Sequence, residues 1–245
     1  MDYYLTDTIL IRDDIMYHGK NKITTKNWHI LLSEYGWEKI NVPWIKQLNK
    51  LKTINSGKSR NSCYGVYDCE QDGNCFFQCI ANALNERDRY IGEEYDQRDI
   101  RNMIAESITE DNFKTLMTYY RIMKDADDFD EEWDPYQVDT VDDFKQKITQ
   151  SGHCYWGDYL LLNLITRELE LNIMILNSNE DDKDYTVYNT LIEYNPQYNS
   201  IFLLYEDNCH FKLVGYFDNQ LISYFTDKTI PDELSKLFNL KNLKC

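Results

Sequence analysis

Gln71-Asp72-Gly73-Asn74-Cys75-Phe76-Phe77-Gln78-Cys79-Ile80-Ala81-Asn82-Ala83-Leu84 begins as turn chemistry and ends as a helix. Asp, Gly and Asn in succession favour a tight turn, because their backbones accept left-handed dihedrals and their side chains bond back to the main chain. From Cys75 onward the apolar residues Phe76, Phe77, Ile80 and Leu84 fall on one face at helical spacing. Cys75 therefore stands at a helix N-terminus, where amide dipoles favour a thiolate and are expected to pull the thiol pKa down. Gly73 allows close backbone approach just before it, so N–H groups of the Gly73-Asn74 turn can face the oxygen of a tetrahedral intermediate. Acyl transfer needs that pairing. A cysteine at a helix start is more often a small buried hydrophobe, so the placement gains meaning only with a base.

The sequence holds four histidines, His18, His29, His153 and His210. His210 opens a predicted strand after the polar loop Glu206-Asp207-Asn208, where an imidazole is held rigidly yet faces a cleft. It lies 135 residues after Cys75, a separation of about the size that papain-like peptidases use, although separation alone is a loose criterion. His18 and His29 lie in an N-terminal extension and His153 precedes Trp156; all three read as structural or surface groups. Cys63, Cys69, Cys75 and Cys79, with His153-Cys154 and Cys209-His210, raise the question of zinc. Their spacing is against it: structural zinc draws on paired ligands two to four apart, and neighbours on a strand point to opposite faces. No metal site is expected.

Outward from this centre, Thr25 can cap a helix through Trp28, Leu31, Leu32 and Tyr35 that ends at Gly36, and Pro43 opens a second helix with Trp44, Ile45, Leu48 and Leu51 on one face. Asn55-Ser56-Gly57 then reads as a linker. Residues 1–58 are expected to form a helical extension, 59–217 the main domain, and 218–245 a C-terminal extension with a short helix. Within the domain, helices are predicted near 98–108 and, capped by Asp111, over 111–123. Thr140 and Asp143 form a capping box for a helix that stops at Gly152, and another helix spans about 157–170. Strands are expected at 171–176, 185–188, 200–205 and 209–217. Helices come first and strands last, which makes the class α+β.

Of the 245 residues, 42% are hydrophobic and 14% aromatic, enough to bury a core, and the net charge of -16 argues against general nucleic-acid binding. A basic partner fits better. The basic stretch over residues 20–60 reads as a solvated helical surface. The acid-rich stretch from Asp125 to Asp143, with Phe129, Trp133 and Tyr136, reads as a surface insertion. Its acids Asp127, Asp128, Asp130, Glu131 and Glu132 are the alternative docking patch for a basic protein. Seven cysteines, an odd number without repeated CxxC pairs, point to reduced thiols and a cytoplasmic location. The acidic N-terminus resembles no signal peptide, and no apolar run has the length of a membrane span.

Asp72-Gly73-Asn74-Cys75-Phe76-Phe77 resembles the nucleophile signature of the ovarian-tumour (OTU) deubiquitinases. Tyr155-Trp156-Gly157-Asp158, with its helix and strand, is similar to that family's Trp-Gly segment, and Cys209-His210-Phe211 is similar to its histidine followed by an aromatic. The three blocks agree in order and spacing across residues 59–217. The resemblance implies a papain-like OTU fold, with a small central β-sheet packed between helical lobes. It also implies a cofactor-free thiol hydrolase, monomeric, acting on isopeptide bonds at the C-terminus of ubiquitin in polyubiquitin or conjugates. By position, Cys75 is the nucleophile, His210 the base, and Asp72 shapes the oxyanion loop of Gly73 and Asn74. One departure stands out. Lys212 occupies the place, two after the histidine, where the family often has Asp or Asn to orient the imidazole. Asn208, Asp207, Asp68 or a backbone carbonyl are left as orienting groups. Asp158, where a second Gly is frequent, and Leu161 or Leu162, where an acid is frequent, touch packing more than chemistry. The rival reading, raised by Lys212, is a catalytically weak or inactive ubiquitin-binding OTU module; a peptidase for another ubiquitin-like protein shares the chemistry.

Overall fold

The computed structural model describes residues 2–52, 62–69, 72–129, 132–179, 184–188, 194–207 and 209–240. The linker read at Asn55-Ser56-Gly57 lies outside them. The chain begins with a small antiparallel sheet of β1 (Tyr3–Tyr4), β2 (Ile9–Arg12), β3 (Ile15–His18) and β4 (Asn21–Lys22). Next come α1 (Trp28–Leu31), a 3-10 turn at Ser33–Tyr35, β5 (Trp37–Lys39) and α2 (Val42–Leu51). The domain continues with β6 (Tyr64–Tyr67), α3 (Cys75–Asp88), α4 (Gln97–Glu106), α5 (Glu110–Asp125), α6 (Val141–Thr149) and α7 (Tyr159–Glu168). It closes with β7 (Leu171–Asn179), β8 (Asp184–Val187), β9 (Asn199–Glu206), β10 (His210–Asp218), β11 (Gln220–Ile222) and α8 (Asp232–Leu237).

The main sheet runs β5-β6-β10-β9-β7-β8, with β11 also on β10; β7 and β9 are parallel and the other pairs antiparallel. Strand alternation sorts its side chains between two cores. Ile173, Ile175, Ile201, Leu203 and Leu213 join Phe77, Ile80 and Leu84 of α3 and Ile100 and Ile104 of α4 on one side. Met174, Leu176, Phe202, Leu204 and Val214 join Trp44 and Leu48 of α2 and Leu234 of α8 on the other. A sheet covered by helices on both faces reads as near-continuous apolar sequence, which explains the run Leu171 to Leu176. The fold is α+β, as expected, and the sheet is larger than the four expected strands. Among the described residues, no helix is long and apolar enough to cross a membrane.

Residues 1–58 differ from the helical extension expected of them. The Asp13-Asp14 pair has positive φ at both positions, 49° and 59°, the geometry of a type I′ hairpin turn between β2 and β3. Short alternating strands flank it, and the apolar run Ile9-Leu10-Ile11 is strand rather than helix. Trp28 and Leu32 do lie where helical spacing puts them, and Gly36 ends that segment at φ 82°. β5 then pairs with β6 inside the main sheet. The hairpin sheet packs Ile9, Ile11 and Met16 against Trp28, Phe217 and Leu221, with Trp28 stacked on Phe217 at 6.3 Å.

The capping box of Thr140 and Asp143 is present, whereas Thr109 rather than Asp111 caps α5. The helix after Thr140 ends at Thr149, and Gly152 instead begins a 3-10 turn. The acid-rich stretch is no free surface insertion. Phe129 and Trp133 are buried, and Trp133 packs 5.2 Å from Tyr120 and 5.9 Å from Tyr155. Those two aromatics spend their area on the core, whereas Tyr136 is exposed beside the exposed Asp127, Asp128 and Glu132; Asp130 and Glu131 lie outside the described residues. Trp133→Ala is expected to destabilise the protein by about 3–5 kcal/mol, the usual cost of emptying a buried tryptophan site, read from urea unfolding.

Candidate active site

The loop before α3 is over-determined by polar contacts. Asp72 accepts the Asn74 amide at 3.0 Å and the Asn74 side-chain amide at 2.9 Å, a local Asx turn. Asn74 Oδ1 in turn accepts Arg101 Nη2 at 2.9 Å and the Gly152 amide at 3.0 Å. Gly73 has φ +80°, and a Cβ there would stand 2.5 Å from the Gly152 carbonyl, so only glycine fits. Gly157 is similarly restricted, since a Cβ would meet the Phe76 ring at 2.0 Å. Asp72, Gly73 and Asn74 thus form one rigid element.

Arg101 was missed in the sequence. It is fully buried on α4 and donates to the carbonyls of Ile148 at 2.9 Å, Gly73 at 3.2 Å and Tyr155 at 3.0 Å, with its guanidinium 4.0 Å over the Phe77 ring. A signal existed. Arg101 sits at i, i+3, i+4 and i+7 with Ile104, Ala105 and Ile108, so a cation stood on the apolar face of its helix. A buried guanidinium is tolerable only where donors are met, and these oxygens take those of Nη1 and Nη2.

Cys75 is 5% exposed, and its Sγ accepts the Phe211 amide at 3.5 Å. That contact joins the start of α3 to the start of β10, the two element ends that carry Cys75 and His210. His210 is 3% exposed; its Nε2 lies 3.0 Å from Asp68 Oδ1, and its Nδ1 is buried with no hydrogen-bond partner among the described residues. The carboxylate fixes Nε2–H, which leaves the Nδ1 lone pair free to accept a proton. Among the three orienting side chains considered, the structure brings Asp68 to the imidazole. Asp207 occupies a left-handed turn position at φ 48°, its amide donating to Ser178, and Asn208 lies outside the described residues. Lys212 points to carboxylates, with Nζ 3.0 Å from Glu38, 3.0 Å from Glu206 and 3.5 Å from Asp68.

The thiol pKa moves opposite to expectation. Burial pushes Cys75 up to about 11; the Phe211 and Phe76 amides pull down, while Cys69 and Asp72 push up. Taking Sγ out of water costs the anion more than the helix-start amides return. At neutral pH the free protein therefore holds a thiol at this position. Nearby, Cys69 and Cys79 place their sulfurs 3.6 Å apart. Asp158 caps α7 through the Leu160 and Leu161 amides and accepts the Tyr120 hydroxyl at 2.7 Å; burial raises its carboxyl to about 6. The remaining histidines serve elsewhere: His18 pairs with Glu34 at 2.9 Å, His29 meets the Trp28 ring edge-on, and His153 packs on Trp156.

A helix-start cysteine in contact with a strand-start histidine segment, within a two-sided mixed sheet, defines the class of α+β cysteine proteases. The family model for OTU-like cysteine proteases matches residues 70–211, and the chain belongs to that family. Among solved structures, the chain is similar to the Hazara virus OTU bound to ubiquitin, at 18% identity and TM-score 0.41, over 63% of this chain and 82% of that one. It is also similar to an OTU deubiquitinase from Wolbachia pipientis wMel, at 14% identity and TM-score 0.39, over 71% of this chain and 96% of that one. No curated protein matches it.

Two outcomes follow from this geometry. Arg101→Met leaves four oxygens without their donor and is expected to cost at least about 3 kcal/mol in a urea melt, since each such buried group costs about 1–3 kcal/mol. For Cys75, the thiolate fraction grows about tenfold per pH unit below its pKa. Iodoacetamide labelling of this residue, followed by peptide mass, is expected to rise steeply from pH 7 to pH 10. A plateau below pH 9 would show a thiolate already formed.

Proposed function

We propose that this protein is a cysteine peptidase that hydrolyses isopeptide bonds at the C-terminus of ubiquitin in chains or conjugates. The observation that carries the reading is the junction of α3 and β10. Sγ of Cys75 touches the Phe211 amide, while the adjoining His210 has one nitrogen held by Asp68 and the other unengaged. In this reading Nδ1 of His210 takes the thiol proton as sulfur attacks the carbonyl carbon, and the oxyanion faces the Cys75 amide at the end of the rigid Gly73-Asn74 turn, the Asn74 amide being engaged by Asp72. Collapse breaks the C–N bond, the imidazolium hands its proton to the departing lysine amine, and a thioester remains. Water, activated by the same imidazole, then releases the carboxylate and returns the thiol. Asp72 holds the turn and Asp68 orients the base. A neutral resting thiol suits this scheme, because the proton leaves as the nucleophile attacks.

Ubiquitin as the substrate rests on the family resemblance of the three sequence blocks. The net charge of -16 is compatible with it, since an acidic protein attracts a basic C-terminal tail. The cytosol is the proposed location, where thiols of this kind stay reduced. The burial of Cys75 favours the second reading, a ubiquitin-binding module without turnover.

A ubiquitin probe with an electrophilic C-terminus separates the two. Hydrolase function predicts an adduct on Cys75 that is absent in Cys75→Ser, and a loss of about 10²- to 10⁴-fold in kcat for His210→Ala on a ubiquitin isopeptide substrate. Binding of the probe without an adduct identifies the module instead.

A further inference from the structure

Lys212 follows His210 by two residues on β10, so both side chains leave the same face of the strand. Its side chain is 12% exposed, and its ammonium reaches carboxylates from three other elements: Glu38 of β5, Glu206 at the end of β9, and Asp68 just after β6. The oxygen it meets on Asp68 is Oδ1, the same atom that lies 3.0 Å from His210 Nε2. One carboxylate oxygen is thus shared between the ammonium and the imidazole.

Asp68 needs such a tether. Its side chain is 49% exposed, in contrast to 4% for the His210 ring it faces. A half-exposed carboxylate on a short stem exchanges rotamers with water unless something holds it. Lys212 is itself anchored: burial opposes its charge, but Glu206 and Glu38 outweigh that and raise its pKa. Glu206 is held further by Asn41, whose side-chain amide donates to it at 3.5 Å.

We infer that Lys212 is a positioning residue for the base, holding the Asp68 carboxylate in the rotamer that fixes the Nε2–H tautomer of His210. The lysine therefore does not mark a lost orienting group. It secures one supplied by a different strand, and through Glu38 it makes the N-terminal segment part of the active site. This inference rests on reading His210 as the base.

The test combines a spectroscopic and a kinetic measurement on the full chain. Two-bond 1H–15N spectra report the tautomer of the His210 ring, assigned by loss of its signals in His210→Gln. The parent is expected to hold Nε2–H, Lys212→Met and Asp68→Ala to mix the two tautomers, and Lys212→Arg to restore the parent pattern. With a fluorogenic ubiquitin substrate, Lys212→Met is expected to lose about 10- to 100-fold in kcat with KM within about twofold. The Asp68→Ala, Lys212→Met double variant should then be no slower than Asp68→Ala alone. A Lys212→Met protein with the parent tautomer, or losses that multiply in the double variant, overturns the inference. If the parent cleaves no ubiquitin substrate, the hydrolase reading fails and the tautomer result alone decides on Lys212. Should Lys212→Met not fold, Glu38→Gln loosens the same tether from a half-exposed position and is judged by the same two criteria.

Discussion

A single buried guanidinium holds the centre of this protein together. Arg101 collects the carbonyls of Gly73, Ile148 and Tyr155 and the side chain of Asn74, oxygens from segments far apart in the chain. Without it, the turn before α3 would face the 148–155 segment with unpaired acceptors on both sides. With it, Gly73 can press its Cα against the Gly152 carbonyl, and the helix start has one geometry. The rest of the site is arranged around that fixed point, because both the sulfur and the turn amides ride on it.

The electrostatics of the site divide into two compartments. Around Cys75 the surroundings are apolar and disfavour the anion. On the other side three carboxylates surround the Lys212 ammonium, and one of them, Asp68, also reaches His210. The thiolate is thus disfavoured in the free protein, which protects the buried sulfur from adventitious oxidation.

The N-terminal segment belongs to the body of the protein. β5 adds to the main sheet beside β6, α2 covers the far face together with α8, and the hairpin sheet packs on the β10–β11 turn. Glu38 carries this integration into the site, reaching Lys212 from the edge strand. Deleting the segment would therefore expose one core and disturb the carboxylate cluster at the same time.

Local chemistry determined much of this on its own. Turn residues followed by a 3.6-residue apolar period placed Cys75 at a helix start, the capping box at Thr140 announced α6, and the apolar run from Leu171 announced a buried strand. The hairpin turn at Asp13-Asp14 went unread, because the short strands beside it gave too little period. What sequence could not supply were contacts between distant segments. Asp68 was only one of several acids available to His210, Lys212 looked like a vacancy, and Arg101 was one cation on an apolar helix face with no partner in view. Each depends on partners as far as 27 to 174 residues away, brought close by sheet order and helix packing. The same holds for the thiol. Helix position alone argued for a depressed pKa, and the depth at which the fold buries the sulfur reversed the sign, because desolvation depends on everything packed around it and local dipoles only on the first turn.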